Sequence, residues 1–126
     1  MRKRIAYSQN FLKDKGLVAK LISQSTITKD DTVFDIGAGQ GVITDELIKA
    51  SGKVIAFEID SNLFGKLEHR LEGNKSVEVR LGNFLDYPLP NYPYKVFSNI
   101  PFNITSAVIK RLTEVQNPPA DTYLIL

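Results

Sequence analysis

Thr32-Val33-Phe34-Asp35-Ile36-Gly37-Ala38-Gly39-Gln40-Gly41-Val42 reads as a short buried strand that breaks into a glycine-rich turn and opens directly into a helix. The β-branched and aromatic run 32–36 is strand-like, and from Val42 to Ala50 the residues Ile43, Leu47 and Ile48 share one helical face. Working outward, Lys53 to Ile59 is the next strand. Ser61 to Glu72 is a helix with Leu63, Phe64, Leu67 and Leu71 facing inward, capped by Asp60 or Ser61. Ser76–Leu81 and Tyr94–Ser98 are further strands, Thr105–Val115 a helix, and Thr122–Leu126 a strand just begun. Upstream, Leu17, Val18, Leu21 and Ile22 recur at helical spacing within 14–25. The proline-rich stretch from Tyr87 to Tyr94 is a loop between strands. Alternating strands and helices predict an α/β fold, a mostly parallel sheet covered by helices on both faces.

A chain of 126 residues is enough for one core. It stops inside an apparent strand, so a fragment of a longer protein is expected, cut at about the fifth strand. The absence of Cys excludes disulfides, thiolate zinc sites, Cys nucleophiles and iron–sulfur clusters. His69 is the single histidine; lying between Glu68 and Arg70, it reads as a solvated side chain and not as a catalytic one. No apolar stretch reaches eighteen residues and no secretory signal follows Met1, so no membrane partner and a cytoplasmic location are expected. The net charge of +2 hides an asymmetry. Arg2, Lys3, Arg4, Lys13, Lys15 and Lys20 stand against Asp14 alone in the first twenty residues, whereas ten cations face thirteen anions in the rest. A basic arm on a mildly acidic body suggests an anionic partner at one end.

Glu58 closes the second strand twenty-one residues after Gly37, the spacing that brings a carboxylate to ribose hydroxyls. Two nucleotide cofactors compete for this pattern. A dinucleotide fingerprint needs a glycine three residues after Gly39, where Val42 stands; the G-x-G-x-G spacing of Gly37, Gly39 and Gly41 fits the S-adenosylmethionine (SAM) version. A purely structural Glu58 after Val54-Ile55-Ala56-Phe57 would need a partner, which ribose supplies. Asp60 reads as a helix cap. Gly82-Asn83-Phe84 is either a plain turn or the edge on which an adenine lies, with the Asn83 oxygen accepting from its amino group.

Asn99-Ile100-Pro101-Phe102-Asn103 follows the fourth strand, at the edge where open α/β sheets bind ligands. A strand-to-helix turn with Phe102 in the core would account for it. The sharper reading is recognition of an adenine N6: the Asn99 side-chain oxygen and an adjacent carbonyl accept both N6–H bonds as the nitrogen becomes tetrahedral. Phe102 stacks a flipped-out base. Attack on a sulfonium acidifies the amine, so no general base is required.

Taken together, Ser8-Gln9-Asn10-Phe11-Leu12, Asp35 to Gly41, Glu58, Gly82 to Leu85 and Asn99 to Thr105 resemble the rRNA adenine N6-dimethyltransferases, and within them the erythromycin-resistance (Erm) methyltransferases, over essentially the whole chain. The resemblance implies a Rossmann-like SAM-dependent methyltransferase fold and methylation of one adenine in 23S rRNA, which confers macrolide, lincosamide and streptogramin B resistance. It implies that Gln9, Asn10 and Leu12 cover the amino-acid part of SAM. Gly37, Gly39 and Gly41 form its loop, Glu58 binds ribose, Asn83 and Phe84 flank the adenine, and Asn99, Ile100, Pro101 and Phe102 hold the target base, with Asn99 also beside SAM. It further implies an rRNA partner presenting a single-stranded or flipped adenine, a monomeric enzyme and no metal. One departure is Asn83, where the family usually has Asp. The small-subunit dimethyladenosine transferases (KsgA-like) share this chemistry but typically carry G-P-G in the loop and Tyr in the base motif; here Ala38 and Phe102 stand there. A SAM- or RNA-binding fragment without turnover is the third reading, because the last strands and the helical RNA-binding lobe of such enzymes are not in this sequence.

Overall fold

The computed structural model describes residues 2–5, 14–100 and 104–125. Six parallel strands form one sheet: β1 (Arg2–Ile5), β2 (Thr32–Ile36), β3 (Lys53–Glu58), β4 (Val77–Leu81), β5 (Lys95–Asn99) and β6 (Thr122–Ile125), in the order β1-β6-β5-β2-β3-β4. The helices are α1 (Lys15–Ser23), α2 (Val42–Ala50), α3 (Ser61–Arg70) and α4 (Thr105–Thr113), and a single 3-10 turn spans Phe84–Asp86.

Alternation along the strands sorts the core into two layers. Val33, Val54, Phe97, Tyr123 and Ile125 face α1 and α2, where Val18, Ile22, Ile43 and Leu47 meet them. Phe34, Ile36, Ile55, Phe57, Val96 and Leu124 face the other way, onto Val108 and Leu112 of α4 and the segment leading to β5. Helices therefore cover both faces, as the strand–helix rhythm requires. Asp14 starts α1 by accepting the Leu17 amide at 3.0 Å, and Asp60 starts α3 by accepting the amides of Asn62 and Leu63 at 2.8 and 3.1 Å.

Two expectations are corrected. The basic start is not a loose arm: Arg2–Ile5 is a strand beside β6, paired from Arg2–Thr122 to Ile5–Ile125. Its main-chain bonds do not depend on an apolar pattern, and an edge strand tolerates cations. Next, α3 buries Leu67 alone, with Leu63, Phe64 and Leu71 half-buried, because it packs near the sheet's β4 edge. The proline-rich stretch is the expected loop between strands, and it also builds core. Tyr94 is buried, stacks on Phe34 at 4.8 Å between ring centroids and donates its hydroxyl to Asn117 O at 2.9 Å. Arg111 of α4 ties the same loop down through Tyr87 O at 2.7 Å.

Candidate functional site

The chain runs β2, β3, β4 outward in one direction and then returns to the other side of β2 as β5 and β6. Where successive connections leave a sheet in opposite directions, a crevice opens at the carboxyl ends of the two central strands. Here β2 ends at Ile36 and β5 at Asn99, and a cleft of about 970 Å³ opens between them. Its walls come from the glycine loop, the end of β3, the Gly82–Phe84 turn and Asn99–Ile100. Four motifs far apart in the sequence thus meet in one place.

Within the glycine loop the three glycines serve different ends. Gly37, Gly39 and Gly41 all have positive φ, at 77°, 58° and 89°. The amides of Gly37 and Ala38 donate to Phe57 O at 2.8 and 2.9 Å, tying the loop to β3. Gly39 lines the cleft, and a Cβ built there meets nothing within 4 Å. Gly41 does not line it. It is the N-cap of α2, and a Cβ there would lie 2.6 Å from Leu67 Cδ1 and against the Arg70 guanidinium. Its missing side chain lets α3 close onto α2, so its part in the loop is at least structural. Arg70 completes that junction, donating to Asp45 Oδ1 at 2.8 Å and Gln40 O at 3.0 Å.

Glu58 lines the cleft but is not waiting for a ligand to justify its burial. Its Oε1 accepts the Gly39 amide at 2.7 Å and its Oε2 the Asp60 amide at 2.8 Å. Main-chain amides, and not ribose hydroxyls as expected, thus supply the partners that its burial requires. Each carboxylate oxygen still has a second lone pair, so the group can hold the loop and accept from ligand hydroxyls together.

Asn83 caps the 3-10 turn, its Oδ1 accepting the Leu85 amide at 3.0 Å, and is exposed on the cleft wall. Phe84 behind it is buried in the aromatic layer, 5.2 Å from Phe57. Asn99 is half-buried at the end of β5 and Ile100 is buried, both on the opposite wall. Gln9, Asn10, Leu12, Pro101 and Phe102 lie outside the described residues. His69 is solvated, its side chain 88% exposed.

Sequence reasoning passed over Asp35. It is 1% exposed at the cleft floor, and Thr44 Oγ1 donates to its Oδ2 at 2.6 Å. Burial pushes its carboxyl up to about 7; the Thr44 bond opposes this, and the nearby Glu58 charge adds to it. The signal available was a carboxylate two residues before Gly37 with a hydroxyl nine residues on, at the first turn of α2. Asp35 and Glu58 are the only titratable acids or bases among the described cleft residues, and Glu58, with Asp35 once ionised, favours a ligand carrying positive charge. Among the described residues, neither Lys nor Arg lines the cleft.

Residues 1–126 match the ribosomal RNA adenine dimethylase family. The chain belongs to that family. It is 35% identical over 127 residues to an Escherichia coli rRNA adenine N-6-methyltransferase, covering all of this chain and 51% of the relative. A Dehalococcoides mccartyi ribosomal RNA small subunit methyltransferase A is 32% identical over 131 residues, covering all of this chain and 45% of that protein. Among solved structures, the 23S rRNA methyltransferase ErmE superposes with a TM-score of 0.81 at 30% identity, covering 92% of this chain and 48% of that one. The sequence therefore spans about half the length of the curated relatives it matches. The parallel sheet found here is the Rossmann-like methyltransferase fold of these relatives.

Proposed function

We propose that the cleft binds SAM and that the protein to which this chain belongs methylates N6 of an adenine in 23S rRNA. The observation that carries the reading is the convergence of Gly39, Glu58, Asn83 and Asn99 on one cleft, with no Lys or Arg among its described lining residues. The residues fit the group. Glu58 accepts ribose hydroxyls while keeping the loop in place, the open space at Gly39 admits the ligand to the backbone, and Asn83 and Phe84 form the adenine wall. Glu58 supplies the negative charge that a sulfonium and an ammonium favour, and Asp35 adds to it as its raised carboxyl ionises above about pH 7. Bound there, SAM supplies an electrophilic methyl group and leaves as a neutral thioether.

Asn99 and a neighbouring carbonyl accept the two N6–H bonds of the target adenine, with Ile100 and Pro101 completing the target-base motif. Phe102 stacks the base, drawn from a single strand or flipped from the stack. Asn99 also borders the cofactor. The N6 proton is lost once the nitrogen carries the methyl group. No metal takes part, and the enzyme works as a cytoplasmic monomer. Ala38 in the loop and Phe102 in the base motif favour the large-subunit target, with macrolide resistance as its consequence. The small-subunit reading is kept because the chain is 32% identical to a small-subunit enzyme. Calorimetry of SAM with this chain tests the cleft; absence of saturable heat rejects it. In the full-length parent, Asn99→Ala should abolish methyl transfer with SAM affinity nearly intact. Erythromycin resistance of cells expressing the parent supports the 23S target, whereas methylation of small-subunit rRNA alone supports the other.

A further inference from the structure

β2 and β5 are neighbours at the centre of the sheet, yet their shared register covers only Val33–Lys95 and Phe34–Val96. On the other sides of these strands pairing continues to the ends, at Ile36–Phe57 between β2 and β3 and Asn99–Ile125 between β5 and β6. The ladder therefore opens in one place, two residues before β2 ends and three before β5 ends, and the cleft enters there. The amide of Ile36 is not lost at this split. It donates to Ser98 Oγ at 2.6 Å, and that hydroxyl lies 3.4 Å from Phe34 O, towards which its own proton is directed. Ser98 is fully buried.

A parallel ladder would have given the Ile36 amide to a carbonyl of β5. A side-chain hydroxyl in that position satisfies the amide while the two backbones stay further apart. Ala at this site would leave a buried amide unpaired or draw the strands together, and both alternatives are unfavourable. The location matters because Ile36 leads straight into Gly37 and Ser98 immediately precedes Asn99. One hydroxyl thus stands between the two walls of the site.

We propose that Ser98 is a positioning residue whose hydroxyl holds β2 and β5 apart at their carboxyl ends and so sets the distance between the glycine loop and Asn99. The functional consequence rests on the SAM reading; the positioning itself does not. The test uses Ser98→Ala and Ser98→Cys, the second keeping the volume but offering a much weaker acceptor. Both should move the amide resonances of Ile36, Gly37 and Gly39, speed Ile36 hydrogen exchange about fivefold or more, and weaken SAM binding by a similar factor, with far-UV dichroism unchanged. A Cys variant indistinguishable from wild type overturns the proposal, as do changes confined to Ile36 that never reach Gly39. Should the variants fail to fold, the wild-type chain decides. A scalar coupling across a hydrogen bond from the Ile36 amide to a β5 carbonyl overturns the proposal; its absence, with the amide protected, supports it. Wild-type protein that binds no SAM rejects the cofactor reading alone, and the amide measurements still decide the role of Ser98.

Discussion

Glu58 accepts the amide of Gly39 across 2.7 Å, so the carboxylate assigned to the ligand also holds the loop that surrounds it. Removing it does two things at once. Glu58→Ala should weaken SAM binding at least tenfold and also lower stability by about 1–3 kcal/mol, since a part-buried amide loses its acceptor. Glu58→Gln keeps an acceptor for one amide and should retain most of the stability while still weakening SAM. Urea unfolding beside calorimetry separates the two effects, and equal stability loss in both variants would contradict the division.

Gly39 and Gly41 should fail in different assays. Gly41→Ala combines a left-handed φ of 89° with a Cβ pressed on Leu67 and Arg70, and should lose roughly 2–4 kcal/mol of stability. Gly39→Ala pays only the left-handed strain of about 1–2 kcal/mol, since nothing crowds its Cβ, but puts a methyl group beside the cleft. Its thermal midpoint should move little while SAM affinity falls clearly. Comparable losses of stability in both would sink this distinction.

Asp35 gives the fold a pH dependence of definite sign. Its carboxyl is raised from 3.8 to about 7 in the folded chain, so the folded state holds a proton that the unfolded state has released. The associated stability is full below the unfolded value and is lost as pH rises through about 7. Asp35→Asn, which keeps an acceptor for Thr44, should therefore gain on wild type between pH 5 and pH 8, by roughly 2–3 kcal/mol. Denaturant midpoints at the two pH values measure it, and a constant difference would show that the raised carboxyl does not contribute.

At the opposite end of the sheet Lys95 donates to Asp31 Oδ2 and Thr26 O, both at 2.8 Å, and Thr26 is also bonded to Asp121 and Tyr123. Burial raises the Asp31 carboxyl, but the Lys95 bond and the Thr28 amide outweigh it and hold it below the usual value. That contribution is present at neutral pH and disappears as pH falls through the lowered value. Lys95→Met should destabilise by about 1–3 kcal/mol at pH 7 with SAM affinity unaltered, and the deficit should shrink in strong acid.

The fold was legible where side chains encode it. Phe34, Ile55, Val96 and Leu124 alternate with inward partners on the other face, and the break from Ile36 into Gly37 marks the crevice. What escaped was carried by the main chain. Arg2–Ile5 has no apolar alternation, and its strand exists through backbone bonds to β6. Gly41 looks identical to Gly39 in a motif, although one faces a helix and the other a cleft; only the packing of Leu67 tells them apart. The partners of Glu58 are amides, which no residue type announces. Tyr94 sits in a proline-rich run that resembles surface, and its burial depends on Phe34, sixty residues earlier.

The return of the chain from β4 to the centre of the sheet has a consequence for how the molecule comes into being. A growing polypeptide completes β2, the glycine loop, β3 and β4 well before Asn99 is made, so one wall of the cleft waits for the other. Contacts between segments so distant in sequence form late and slowly. Recognition of the ligand is therefore a property of the assembled sheet and of no earlier folding stage, and tight binding reports that β5 has been inserted.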